Sequence, residues 1–171
     1  MIKEVEGNLI ALAKEGHFDV ITHGCNCFCK MGAGIAVSMK ENFFCDSFKM
    51  EDDKYKGDIN KLGTIDYACI TDKGDHLRKS NPNDLYTEDV LVTVVNSYTQ
   101  YHYGRKDVKE NLVDYEAIAL CMRKINHIFK GESIGLPLIG AGLAGGNWVV
   151  IEQIIKNELK DMDVTIVYYK K

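Results

Sequence analysis

Short runs dense in β-branched residues alternate along this chain with stretches whose apolar residues return every three or four positions, and that alternation constrains the fold most. Residues 2 to 6 and 19 to 24 are the first two such runs. Between them LIALAKEG has an apolar spacing that suits a short helix ending at Gly16. TIDYACIT places Ile65, Tyr67 and Cys69 on one face of a third strand; LVTVVNSY, SIGLPLI and VTIVYY follow as a fourth, fifth and sixth. Helical stripes lie between them. One joins Ile35, Met39 and Phe43, a long one runs from Val108 to Lys130, and a third sets Ile151, Ile154, Ile155 and Leu159 inward in NWVVIEQIIKNEL. Strands that are apolar on both sides are covered on both sides, so the pattern predicts an α/β protein with a central, largely parallel sheet between helices. The polar run DKGDHLRKSNPNDLYTED, with Asn81-Pro82 in it, is expected to be a loop.

Length and charge narrow the class. At 171 residues the chain is one domain, 1–171, and its 46 % hydrophobic against 27 % charged residues exclude a disordered polar chain. A net charge of -4 with scattered lysines gives no basic stripe for a long nucleic acid, whereas backbone amides can still hold one small anion. No apolar stretch is long enough to cross a bilayer, and MIKEVEG has no apolar signal core, so a cytoplasmic protein with no membrane partner is expected. A chain of this kind does not need disulfides, and Cys25, Cys27, Cys29, Cys45, Cys69 and Cys121 are expected to be reduced thiols.

Two glycine-rich stretches stand where α/β proteins bind ligands, each following a strand and preceding a helix. Gly140, Gly142 and Gly145 match G-x-G-x-x-G, and the helix start near Asn147 adds exposed amides and a partial positive charge. Tight turns use such glycines too. A dinucleotide fold would need a βαβ unit and an acidic residue on a later strand, but only one strand follows Gly145, and neither stretch ends in Gly-Lys-Ser/Thr. Two glycine loops gripping one diphosphate make better use of these pieces.

His23 is read as ending the second strand, just before Gly24, Cys25 and Asn26. It is either satisfied by backbone or turned toward the crevice, where an imidazole can move a proton or stabilise a phosphoryl group. Asn26 can offer a sugar hydroxyl both a donor and an acceptor. Cys25, Cys27 and Cys29 alternate, which is not the spacing of a zinc knuckle, so no metal is expected. No arginine closes a phosphatase loop after Cys25. Tyr101, His102, Tyr103 and Arg105 read as a solvated polar turn.

Gly7-Asn8-Leu9, DVITHGCNCFCKMGAGIA from Asp19 to Ala36 and LPLIGAGLAGGNW from Leu136 to Trp148, taken in that order, resemble the macrodomain family. The resemblance spans essentially the whole chain. It implies a three-layer α/β/α macrodomain with a mixed, largely parallel six-stranded central sheet and ADP-ribose bound above it. By position, Gly7, Asn8 and Leu9 would face adenine, although many relatives have aspartate where Asn8 stands. Gly24, Cys25, Asn26, Met31, Gly32, Ala33, Gly34, Ile35 and Ala36 would surround the distal ribose and diphosphate. Ile139, Gly140, Ala141, Gly142, Leu143, Ala144 and Gly145 would form the second diphosphate loop, and Tyr168 the aromatic group near the adenine end.

Thr-His-Gly-Cys-Asn-Cys followed by Met-Gly-Ala-Gly-Ile-Ala is similar to the members that remove phosphate from ADP-ribose 1''-phosphate. Relatives that strip ADP-ribose from glutamate or nucleic-acid bases use a lysine where this chain has Thr99-Gln100, and some an aspartate where it has Ala144. The resemblance therefore implies a phosphatase with His23 and Asn26 as catalytic residues, no cofactor, and ADP-ribose or ADP-ribose 1''-phosphate as small-molecule partner of a monomer. A de-ADP-ribosylating hydrolase and a non-catalytic ADP-ribose reader are the alternatives.

Overall fold

The computed structural model describes residues 2–48, 56–77, 90–104 and 112–169. The Asn81-Pro82 turn, Arg105 and the first residues of the Val108 to Lys130 stripe lie outside that set. Five parallel strands carry the site: β1 (Lys3–Gly7), β2 (Val20–Asn26), β5 (Val90–Gln100), β6 (Ser133–Leu136) and β7 (Asp163–Tyr169). β3 (Ile65–Thr71) runs antiparallel to β5, and β4 (His76–Leu77) antiparallel to β3. The order across the sheet is β1-β7-β6-β2-β5-β3-β4. This is the mixed, largely parallel α/β sheet that the apolar runs imply, with the two-residue β4 added to the six expected strands.

Period-two alternation splits the strand residues between two helical layers. Ile21, Val92, Val94 and Val167 pack against Leu9, Ile10 and Ala13 of α1 (Leu9–Lys14) and Met39 and Phe43 of α2 (Ile35–Phe43). Val20, Val95, Ile134, Leu136, Val164 and Ile166 pack on the opposite face against Ile118, Met122 and Ile125 of α3 (Tyr115–Ile128) and Ile151 and Ile155 of α4 (Trp148–Glu158). Each of these helix residues is at most 7 % exposed, and burying one aliphatic side chain contributes about 1.5–3 kcal/mol, so the two cores anchor the helices to both faces of the sheet.

Three boundaries differ from the apolar pattern. β6 stops at Leu136 because Pro137 has no amide to continue the ladder. The long helix begins at Tyr115: Asp114 caps it by accepting from the Ala117 amide, and the apolar residues 112 and 113 lie before that cap, Val113 in a bridge to Gln100. β2 continues to Asn26, two residues past its expected end, so His23 lies inside the strand. Because β1, β7, β6, β2 and β5 are parallel, their C-terminal ends share one edge, where Gly7, Tyr169, the chain after Leu136, Asn26 and Gln100 stand side by side.

Candidate functional site

The two glycine loops meet at that edge. A Cβ on Gly34 would lie 3.3 Å from Leu143 Cδ1, which joins the loop at 31–36 to the loop at 139–145 across more than a hundred residues of chain. Gly34 is the N-cap of α2 with φ 59° and ψ -148°, a conformation suited to glycine, and no side chain caps the helix. Among the described residues nothing accepts from the amides of Gly32, Ala33, Gly34, Ile35 and Ala36, or from those of Gly142, Leu143 and Ala144. Two runs of unpartnered N–H groups thus border one crevice, and the α2 dipole adds positive potential to the first.

The second loop is held by its own backbone. Gly145 N donates to Gly142 O at 3.0 Å, Gly146 N to Gly140 O at 2.8 Å, and Leu112 N to Ala144 O at 3.0 Å. Gly140 and Gly145 have φ of 72° and 73°. A Cβ on Gly146 would stand 2.7 Å from Gly140 O, so this close turn needs glycine there, a requirement the G-x-G-x-x-G reading stopped one residue short of. Asn147 caps α4 by accepting from Val149 N, and its own amide donates to Tyr115 Oη at 2.9 Å. Tyr115 is a support that sequence pattern did not single out.

His23 is corrected. It is fully buried in mid-strand on the α1/α2 face, its Nε2 2.7 Å from Asn96 Oδ1 and close to the Cys25 and Cys45 thiols at 3.7 and 3.8 Å. Asn96 in turn donates to Cys45 O and to Asp66 Oδ1, and Tyr98 Oη donates to Asp66 Oδ2 at 2.6 Å. Burial lowers the His23 pKa to about 4 against the opposing bond from Asn96, so the ring is neutral at pH 7 and does not face the crevice as a proton donor. Cys25 shares this interior: its thiol is driven well above the ordinary range, first by burial and then by Asp66, and stays protonated.

Asn26 is 7 % exposed and folds the loop beneath it, donating from Nδ2 to Lys30 O at 2.8 Å and accepting from Lys30 N at 3.1 Å. The side chains of Leu9, Met31, Ile139 and Ala144 are likewise in the cores, which leaves only their backbone for contact at the strand edge. Beyond Asn26, Phe28 packs against Tyr101, His102 and Tyr103 at 5.3, 4.9 and 5.6 Å between ring centroids. Lys30 Nζ sits 3.9 Å over the Tyr103 ring. Tyr101 and His102 are exposed, as a solvated turn would be, and with Tyr103 they also form a small aromatic cluster on Phe28.

At the other end Asn8 is exposed and caps α1, its Oδ1 accepting from Ile10 N at 2.9 Å and Ala11 N at 3.2 Å. Asn8→Ala should lower stability by about 1 kcal/mol in a urea melt, the weight of one N-cap; an unchanged midpoint would mean that α1 does not depend on it. Tyr168 packs with Trp148 on the α4 side and donates to Glu4 Oε1 at 3.2 Å. The aromatic residue exposed at the end of β7 is Tyr169, 71 % accessible and paired in register with Gly7. All six cysteines are free and buried, and among the described residues no three His, Cys, Asp or Glu side chains could hold a metal ion. No described helix is long and apolar enough to cross a membrane.

This architecture is the macrodomain fold, as the solved structures that superpose on it show. The macrodomain of Mycobacterium tuberculosis DarG superposes on the chain with a TM-score of 0.62 at 19 % identity, covering 100 % of this chain and 99 % of that one. Thermosipho africanus DarTG, in a structure described as a complex with ADP-ribose, gives 0.66 at 17 % identity over 99 % of this chain and 41 % of its own. No family model matches the sequence. The chain is 30 % identical over 174 residues to the uncharacterized 17.5 kDa protein in the tk-vs intergenic region of Enterobacteria phage T4, a match covering 98 % of this chain and 96 % of that protein. It belongs to the family of that phage protein.

Proposed function

We propose that the protein binds ADP-ribose along the strand edge and hydrolyses ADP-ribose 1''-phosphate to ADP-ribose and inorganic phosphate. The observation that supports this reading is the meeting of Gly34 with Leu143, which brings two runs of unpartnered amides together at one strand edge. The amides of 32–36 and 142–144 hold the two phosphates. Gly7, Asn8 and Leu9 receive the adenine, and the terminal ribose lies toward Asn26. An amide group has two N–H donors, and the one that Lys30 does not take up is available to a ribose hydroxyl.

In the reaction a water oxygen bonds to phosphorus and gives up a proton to solvent, the bond from phosphorus to the 1'' oxygen breaks, and that oxygen leaves with a proton drawn from solvent. Positioning, and hydrogen-bond donors to the developing negative charge, carry much of such a phosphoryl transfer. His23 takes no part. Gln100, whose amide donates to His102 O, and Ala144 supply no charge at the two positions where related de-ADP-ribosylating enzymes use lysine and aspartate, which favours the phosphatase. Phosphate release from ADP-ribose 1''-phosphate at pH 7 should exceed the buffer rate. Release no faster than in buffer, with ADP-ribose still bound, would leave a non-catalytic reader.

A further inference from the structure

Thr99 Oγ1 is the one buried side-chain oxygen or nitrogen among the described residues without a hydrogen-bond partner. The residue is 1 % exposed, and leaving a hydroxyl unpaired in an interior costs stability that a valine of the same shape would not. Its neighbours on the same strand face are satisfied: Thr22 Oγ1 bonds Val95 O and Ser97 Oγ. An orphan in an otherwise satisfied strip calls for a ligand-side explanation.

Backbone irregularity supplies a second, independent observation. The parallel pairing of β2 with β5 runs in step to Cys25 and Tyr98, then shifts, so that Asn26 faces Gln100 and Thr99 is the extra residue. Bulges in parallel pairs are uncommon and recur beside sites, where they re-aim a side chain. Here the re-aimed hydroxyl comes to rest against Gly24. A Cβ there would be 2.9 Å from Thr99 Oγ1 and 3.4 Å from Ile139 Cγ1, so only a bare Cα permits the approach. Ile139, which begins the second glycine loop, supplies the next nearest atoms to that point.

Place along the edge decides which part of a ligand this hydroxyl meets. In the order β1-β7-β6-β2-β5 the diphosphate loops follow β6 and β2, the adenine end lies at β1 and β7, and Thr99 on β5 lies on the far side of the diphosphate. Resting on the ADP-ribose reading above, we propose that Thr99 is a specificity residue for the terminal ribose. Its hydroxyl hydrogen-bonds a ribose hydroxyl that reaches it over the Cα of Gly24, beside Ile139. A nucleotide that ends at its diphosphate gains nothing from it.

Calorimetric titration of ADP-ribose and of ADP into wild type, Thr99→Val and Thr99→Ser tests this, with thermal melting of each protein alongside. Thr99→Val should melt no lower than wild type, bind ADP-ribose about tenfold more weakly, the weight of one neutral hydrogen bond, and bind ADP as wild type does. Thr99→Ser should keep wild-type affinity for both. Equal ADP-ribose affinity in wild type and Thr99→Val overturns the proposal while leaving ADP-ribose binding intact. Parallel weakening of ADP and ADP-ribose also overturns it, by making the effect a general distortion. Wild type that binds neither nucleotide removes the ADP-ribose reading itself.

Discussion

Gly142→Glu should abolish ADP-ribose binding, raising Kd at least about a hundredfold in calorimetry, while the melting temperature stays where it is. Nothing lies within 4 Å of where a Cβ on Gly142 would be, and the residue does not have positive φ, so a side chain enters without backbone strain. What changes is charge. The carboxylate arrives among the amides of 142–144, takes the donors a phosphate would use, and repels the phosphate itself; juxtaposed like charges cost several kcal/mol. Gly142→Ala is the steric control and should bind as wild type. Equal affinity in Gly142→Glu would move the diphosphate away from this loop, and the phosphatase reading would lose its grip with it.

That prediction was within reach of the sequence because it depends on local signals. Glycines, an apolar strand before them and a capped helix after them are all encoded within a dozen residues, and the parallel sheet then has to bring both loops to one edge. Chemistry that depends on distant partners was not legible. His23 looked like a strand end because polar residues follow the apolar run, yet it is satisfied by Asn96, 73 residues further on. Nothing near it in sequence announces that partner. Thr99 is the same case in reverse, a threonine ordinary in any buried strand whose meaning comes from a register shift against β2. Gly146 lies in the glycine-rich stretch but was given no role because the motif ends at Gly145, although backbone closure of the turn falls on the next residue.

The misread histidine carries the other large expectation, an acid-induced loss of stability. Unfolded, an imidazole titrates near its ordinary value of 6.5; in the fold His23 does so at about 4, because its ring is fully buried and the cation would have to shed its hydration among thiols. Between those values the unfolded chain binds a proton that the native protein refuses, so the stability linked to His23 is fully present above pH 6.5 and declines as pH falls toward 4. The loss across the window is about 3 kcal/mol, from 1.36 kcal/mol for each unit of difference. Of the other histidines, His17, His102 and His127 are exposed. Urea melts at intervals between pH 7 and 4 should therefore show a steep decline in wild type and a much shallower one in His23→Gln, whose amide can still donate to Asn96. Parallel declines in the two proteins would mean that the acid sensitivity lies elsewhere, and that His23 tolerates protonation where it is buried.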